Sequence, residues 1–185
     1  MTDELSIANV HVNQRGSRTA ALLNNKERYY VTFNKPAACL YPPSSFDKDE
    51  SASRMGVHFE ATDELTDFFL GFDKWAVEYL CEHSERLFGK KMSQDQVESS
   101  YHSCLKDGKG VKLKINMPNS PTPTRIWDDA GEQLPWPANW NDSYRIRCKI
   151  SHMWQMGTRD KSFGFVVICE DLCPQVQITA SPWAM

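Results

Sequence analysis

Two periods of apolar residues divide the chain. Alternation with a period of two marks its first part and its final third, and a spacing of three and four fills the middle. Across 144–150, Tyr144, Ile146, Cys148 and Ile150 point one way, and Arg145, Arg147 and Lys149 point the other. That is the pattern of a half-buried strand. Residues 111–117 repeat it, with Val111, Leu113, Ile115 and Met117 inward and Lys112, Lys114 and Asn116 outward. Tyr29, Val31 and Phe33 alternate with Tyr30 and Thr32, so 29–33 also reads as a strand. Residues 163–168 are nearly all apolar, which predicts a central strand. Shorter strand candidates are 5–12, 56–59, 125–127 and 175–178. Pro36, Pro42 and Pro43 with several serines predict irregular structure after residue 33, because proline lacks the N–H that a sheet ladder needs.

In the middle, Leu65, Phe68, Phe69, Phe72, Trp75, Ala76, Tyr79, Leu80, His83 and Leu87 recur at helical spacing. Gly71 is a candidate break, and Gly89 a stop. Ser93 and Gln96 form a capping-box sequence, predicting a second short helix to about residue 101. Residues 107–110 read as a turn, and 118–143 as a long connector rich in proline and tryptophan. Strands, one helical insertion, then strands predict a single domain over 1–185. The expected fold is mainly β, an OB-type antiparallel barrel with a helical insertion over 62–103.

Composition narrows the function classes. The 185 residues are 41% hydrophobic and 11% aromatic, with a formal net charge of -3. That excludes a disordered acidic tail and a histone-like polycation. No stretch approaches 18 apolar residues, so no membrane partner is expected. MTDELSIANV has no basic leader followed by an apolar run. Cysteines 39, 81, 104, 148, 169 and 173 lie in apolar or strand-like patterns and read as reduced thiols. The expected location is nuclear or a cytoplasmic viral replication compartment. Resolved by segment, the charge is uneven. Residues 61–110 hold 10 acidic and 6 basic side chains, whereas 145–161 hold 5 basic and one acidic.

No GxGxxG, Walker A, HExxH or GxSxG sequence is present. The five histidines are scattered. Cys169 and Cys173 have no second ligand pair to complete a zinc site. Neither metal nor cofactor is expected. Asp128 and Asp129 read as a solvated turn, with a metal-dependent nuclease using them and His152 as the enzymatic alternative.

The outward positions carry a different chemistry. Arg145, Arg147 and Lys149 recur at about 7 Å, twice the strand rise, and Lys112 and Lys114 repeat this on another strand. If the two strands are neighbours, the five form one positive patch. Like charges on one face repel, so either an acidic partner in the same chain or a polyanion is expected to offset them. Trp127 and Trp154 lie beside these strands, with Tyr30 and Tyr41 at the sheet surface. Such aromatics offer stacking platforms for bases. Arg159 and Lys161, in the loop after Gly157, are candidates to close over a strand lying in the groove.

The run ERLFGKKMSQDQVESSYHSCLK, followed by GKGVKLKINM and later YRIRCKISHMWQMGTRDKSFGFVVICEDLCPQVQI, resembles single-stranded DNA-binding proteins of large eukaryotic DNA viruses and related mobile elements. These are similar to the small replication protein of T7-type phages. The similarity spans roughly 57–178. It implies an OB-type barrel that binds single-stranded DNA without catalysis in replication or recombination, with replication proteins as further partners. By position it puts Lys112, Lys114, Arg145, Arg147 and Lys149 along the groove and Trp154 beside it. The phage proteins end in an acidic tail, whereas no acidic residue follows Asp171 here. Homodimerisation through such a tail is therefore not expected, and dimerisation through another face stays open. Single-stranded DNA is not distinguished from RNA, since a 2′-OH contact leaves no sequence signature. The alternative is a structural or protein-interaction module whose basic stripe binds an acidic protein surface.

Overall fold

The computed structural model describes residues 4–46, 48–157 and 162–175. Strand β1 (Leu5–Val12) and β2 (Arg18–Asn24) form an antiparallel hairpin. Its turn is tied by the Asn13 side chain, whose Oδ1 accepts from the Arg15 and Ser17 amides at 2.9 Å each. A two-residue turn joins β2 to β3 (Glu27–Ser44), with Asn25 at φ 50° and Lys26 at φ 66°. Positive φ at both central residues matches the strand twist.

β3 overturns the irregular reading of the proline-rich stretch. It runs for 18 residues through Pro36, Pro42 and Pro43. The prolines fall where its pairing slips. Pro36 lies between Phe33 and Ala37, whose partners are Ile146 and Tyr144. Pro42 and Pro43 lie between Tyr41 and Ser44, whose partners are His58 and Gly56. A bulge has no ladder bond to lose at the extra residue, so proline is tolerated there.

β4 (Arg54–Phe59) pairs with β3 and, antiparallel, with β7 (Gly110–Asn116). Between them come α1 (Asp63–Glu82), α2 (Ser84–Phe88) and α3 (Gln94–Ser100). Thr62 caps α1, Gly89 ends α2 at φ 74°, and Ser93 with Gln96 forms the expected capping box. Gly71 does not break α1. It is exposed, and its cost of about 1 kcal/mol is outweighed by burial of Leu65, Phe69, Phe72, Ala76 and Leu80. Phe68 and Phe69 pack on Phe33, and Phe72 on Phe165, which seats the helix against the sheet.

Two-residue strands β5 (Tyr101–His102) and β6 (Leu105–Lys106) precede β7. β8 (Arg125–Trp127) and β9 (Gln133–Leu134) form a small hairpin in the connector. β10 (Ser143–Gln155) and β11 (Phe163–Gln175) are long and antiparallel to each other. The strand expected over 175–178 lies outside the described residues beyond Gln175. Phe33, Phe59, Tyr144 and Phe163 are among the largest side chains of the core. All six cysteines are free thiols.

The expected antiparallel barrel is corrected. The described strands form one mixed sheet in the order β1-β2-β10-β3-β4-β7-β11-β8-β9. β11 pairs in parallel with β5, β7 and β8. Pairings run from β10 through β3, β4 and β7 to β11, and β11 pairs back with β10. The ring nevertheless does not close into a barrel. Its weak seams are β7–β11, with two partner pairs, and β3–β4, with three pairs and two register shifts. Among the described residues, no helix is long and apolar enough to cross a membrane.

Candidate nucleic-acid interface

The outward side chains of the sheet divide into two basic groups. β7 and β10 are not neighbours, because β11 lies between them. The five cations therefore do not stand on adjacent strands, although Lys114 and Lys149 both lie opposite Ile168 of β11.

The first group is the stripe on β10. Arg145, Arg147 and Lys149 point outward as the alternation predicts, and each meets a carboxylate of the same chain. Arg145 pairs with Asp129. Arg147 Nη1 lies 2.8 Å from Asp171 Oδ2, and Lys149 Nζ 2.7 Å from Glu170 Oε1. Asp171 also takes Arg125 Nε at 2.8 Å and the Trp127 indole N–H at 2.8 Å. Burial works to raise the Asp171 pKa. The hydrogen bonds from Trp127, Arg147 and Arg125 prevail and hold it below the ordinary carboxylate value. Tyr30 lies under the Arg147 guanidinium at 4.3 Å, and Trp127 under that of Arg125 at 5.6 Å. Both aromatics are thus engaged inside the stripe. The acids that offset it come from β11 and the β8–β9 turn rather than from the acidic helical segment.

The second group lies on β4 and β7. Lys112 stands opposite His58, and Lys114 opposite Gly56. On the next strand, Tyr41 and Ser44 continue the two rows. The Tyr41 and His58 rings meet edge to face at 5.2 Å. His58 Nδ1 is 3.0 Å from the Lys109 carbonyl, so this nitrogen carries the proton. Gly56 matters here by its missing side chain, since a Cβ would stand 3.3 Å from Lys112 Cε. Among the described residues, no ion pair joins Arg54, Lys112 or Lys114 to a carboxylate. Burial, then Lys112 and Arg54, push the Lys114 pKa down. His152 is likewise lowered, by burial and then by Arg54 and Lys149. Uncompensated cations crowd this face.

Trp154 joins the second group. It sits opposite Gly164 in the β10–β11 ladder. A Cβ on Gly164 would stand 2.7 Å from the His102 carbonyl oxygen and 3.2 Å from Trp154 Cζ2, so glycine lets both approach the strand closely. His102 lies 6.0 Å from the indole, ring to ring. Together with Lys106, Lys112, Lys114 and Phe165 they line a cleft of about 360 Å³. A second hollow on the other side of the same lysines includes His58 and Phe46, and the Phe46 side chain is fully exposed.

Of the residues expected at the site, Lys112, Lys114 and Trp154 come together. Arg145, Arg147 and Lys149 form the ion-paired stripe, with Tyr30 and Trp127 against its guanidinium groups. Arg159 and Lys161 lie outside the described residues. Sequence reasoning missed Arg54, His58, His102 and Lys106. The outward phase of His58 in GVHF was the available signal for one of them. Asp128 and Asp129 do not converge with His152. Asp128 accepts the Ala130 and Glu132 amides of its own turn at 2.9 and 2.8 Å, and Asp129 holds Arg145. Among the described residues, no three side chains of metal-ligating type come together.

No protein-family model matches the chain, and no curated protein does. Three solved structures of the single-stranded DNA-binding protein from bacteriophage Enc34 are similar to it. The complex with single-stranded DNA is 13% identical, with TM-score 0.47, covering 94% of this chain and 96% of that one. A second structure of that protein is 11% identical, with TM-score 0.46, covering 91% and 89%. A C-terminal truncation is 12% identical, with TM-score 0.46, covering 95% and 96%. These three come from a bacteriophage, not from the eukaryotic viruses expected from the sequence. The likeness is distant and structural, and at TM-scores of 0.46–0.47 it assigns this chain no function.

Proposed function

We propose that this chain binds single-stranded DNA without catalysis, largely independently of sequence, through the β4–β7 face and the cleft beside Trp154. The observation that carries this reading is a row of cations, Arg54, Lys112 and Lys114, that no described carboxylate offsets, flanked by Trp154, His102, Tyr41 and His58. Phosphates supply the missing negative charge, and the aromatics supply faces on which bases stack whatever their identity. A role in replication or recombination, in the nucleus or a cytoplasmic viral replication compartment, fits such a binder. The paired stripe weighs against the alternative of a module binding an acidic protein surface through β10, because acids of the same chain already cover it.

A titration followed by tryptophan fluorescence tests the reading. Oligo-dT is expected to quench Trp154 and to bind more weakly as salt rises, with duplex of equal length binding less tightly. A matched RNA strand reports whether the 2′-OH matters. Absence of quenching and of any salt-dependent binding contradicts the proposal.

A further inference from the structure

One aromatic ring on the β4–β7 face adds nothing to the core. The Phe46 side chain is fully exposed and stands at the rim of the hollow that holds His58, Lys112 and Lys114. A single exposed apolar residue is ordinary on a protein surface, but Phe46 has company. Tyr41, half exposed on β3, meets the His58 ring edge to face, and His58 lines the hollow with Phe46.

The loop that carries Phe46 is anchored on both legs. On one side β3 delivers Pro42, Pro43 and Ser44, and Ser44 pairs with Gly56. Proline fixes φ, so this leg is stiff. On the other side the Asn119 side chain donates to the Ser51 carbonyl at 2.9 Å, and the Met117 amide donates to the Ser53 carbonyl at 2.9 Å. Across the tip, the Lys48 amide donates to the Ser45 carbonyl at 3.3 Å.

The floor of the hollow is backbone. In the row from Ser44 through Gly56 to Lys114, the central position has no side chain. A Cβ there would stand 3.3 Å from Lys112 Cε and 3.7 Å from the Ser44 carbonyl oxygen. Glycine inside a strand marks a place where another group comes close to the backbone. At about 220 Å³ the hollow is smaller than the usual ligand site, which suits one flat ring.

Resting on the binding function proposed above, we infer that Phe46 is a second base-stacking residue. One nucleobase of the bound strand lies on its ring over Gly56, on the side of the lysine pair away from Trp154. Lys112 and Lys114 line both hollows, so a backbone that follows them brings one base to Trp154 and another to Phe46. A phenyl ring offers a π-face and no hydrogen-bonding group, so the contact is indifferent to base identity.

Three variants test the role. Because Phe46 is exposed, each is expected to keep the wild-type urea midpoint. Phe46→Ala and Phe46→Leu are both expected to weaken oligo-dT binding about fivefold, the low end for a stacked base, since leucine keeps apolar bulk without a π-face. Phe46→Trp is expected to hold wild-type affinity and to add to the fluorescence that oligo-dT quenches. In all three the slope of log affinity against log salt is expected to match wild type, because no phosphate contact is lost. Wild-type affinity in either Phe46→Ala or Phe46→Leu, or a changed salt slope, overturns stacking at Phe46 and leaves the general binding function standing. A wild-type protein that binds no oligo-dT overturns that function, and the stacking role with it.

Discussion

The two basic groups of the sheet are built from the same residue types and behave oppositely. On β10, Arg145, Arg147 and Lys149 are each closed off by Asp129, Asp171 or Glu170. On β4 and β7, Arg54, Lys112 and Lys114 face one another and shift their neighbours' protonation instead. Both have aromatic companions. Tyr30 and Trp127 serve the guanidinium groups of the stripe, whereas Trp154 lines a cleft. A basic stripe in a sequence is therefore not yet a binding face. What separates the two is whether the fold brings a carboxylate to the same place.

The largest effect expected from a single substitution is at Trp154. Trp154→Ala removes a stacking platform and is expected to weaken single-strand binding by about 1–3 kcal/mol, read as the shift in an anisotropy titration. Trp127→Ala, in the stripe, is expected to change that affinity little. If the two variants behave alike, the distinction between the regions fails.

On the other side, Asp171→Asn is expected to cost stability rather than binding. It takes a charged partner from Arg125 and Arg147, and water replaces part of the loss because both side chains are about half exposed. A decrease of about 1 kcal/mol in urea unfolding is expected. The sign with pH follows from the depressed folded-state pKa of Asp171. Its contribution is fully present above the ordinary carboxylate pKa and is lost as pH falls through the lower folded value. The gap between wild type and Asp171→Asn should therefore narrow in acid.

How much of this was legible beforehand differs between elements. β10 was readable because Tyr144, Ile146, Cys148 and Ile150 keep strict alternation, and the Ser93–Gln96 box fixed the start of α3. β3 was not, because its prolines sit at bulges that only the partner strands define. A bulge between Ile150 and His152 then shifts the phase of β10, so the side on which Trp154 falls cannot be counted from Arg145. The acids of the stripe were equally hidden. Asp129 lies 16 residues from Arg145, and Asp171 lies 24 from Arg147. That the ring stays open was hidden too, because no periodicity reports that β7 and β11 pair over only two residues.

The smallest expected effect concerns His152. Burial, Arg54 and Lys149 hold its pKa below 6.5, so the free protein keeps it neutral near neutrality. Phosphates placed near Arg54 favour the protonated ring, and complex formation then takes up a proton. Affinity is expected to rise a few-fold as pH falls from about 7 to about 5.5. In His152→Ala the pH dependence over that range should flatten.

The central claim is that the unpaired lysines, not the paired stripe, carry the contact with phosphates. The direct measurement is the slope of log affinity against log salt for wild type, Lys112→Ala/Lys114→Ala and Arg145→Ala/Arg147→Ala on one oligo-dT strand. Two lost phosphate contacts should reduce the magnitude of the slope by about 1.4 in the lysine variant, with the arginine variant close to wild type. A reduction of that size in the arginine variant, with the lysine variant unchanged, contradicts the account.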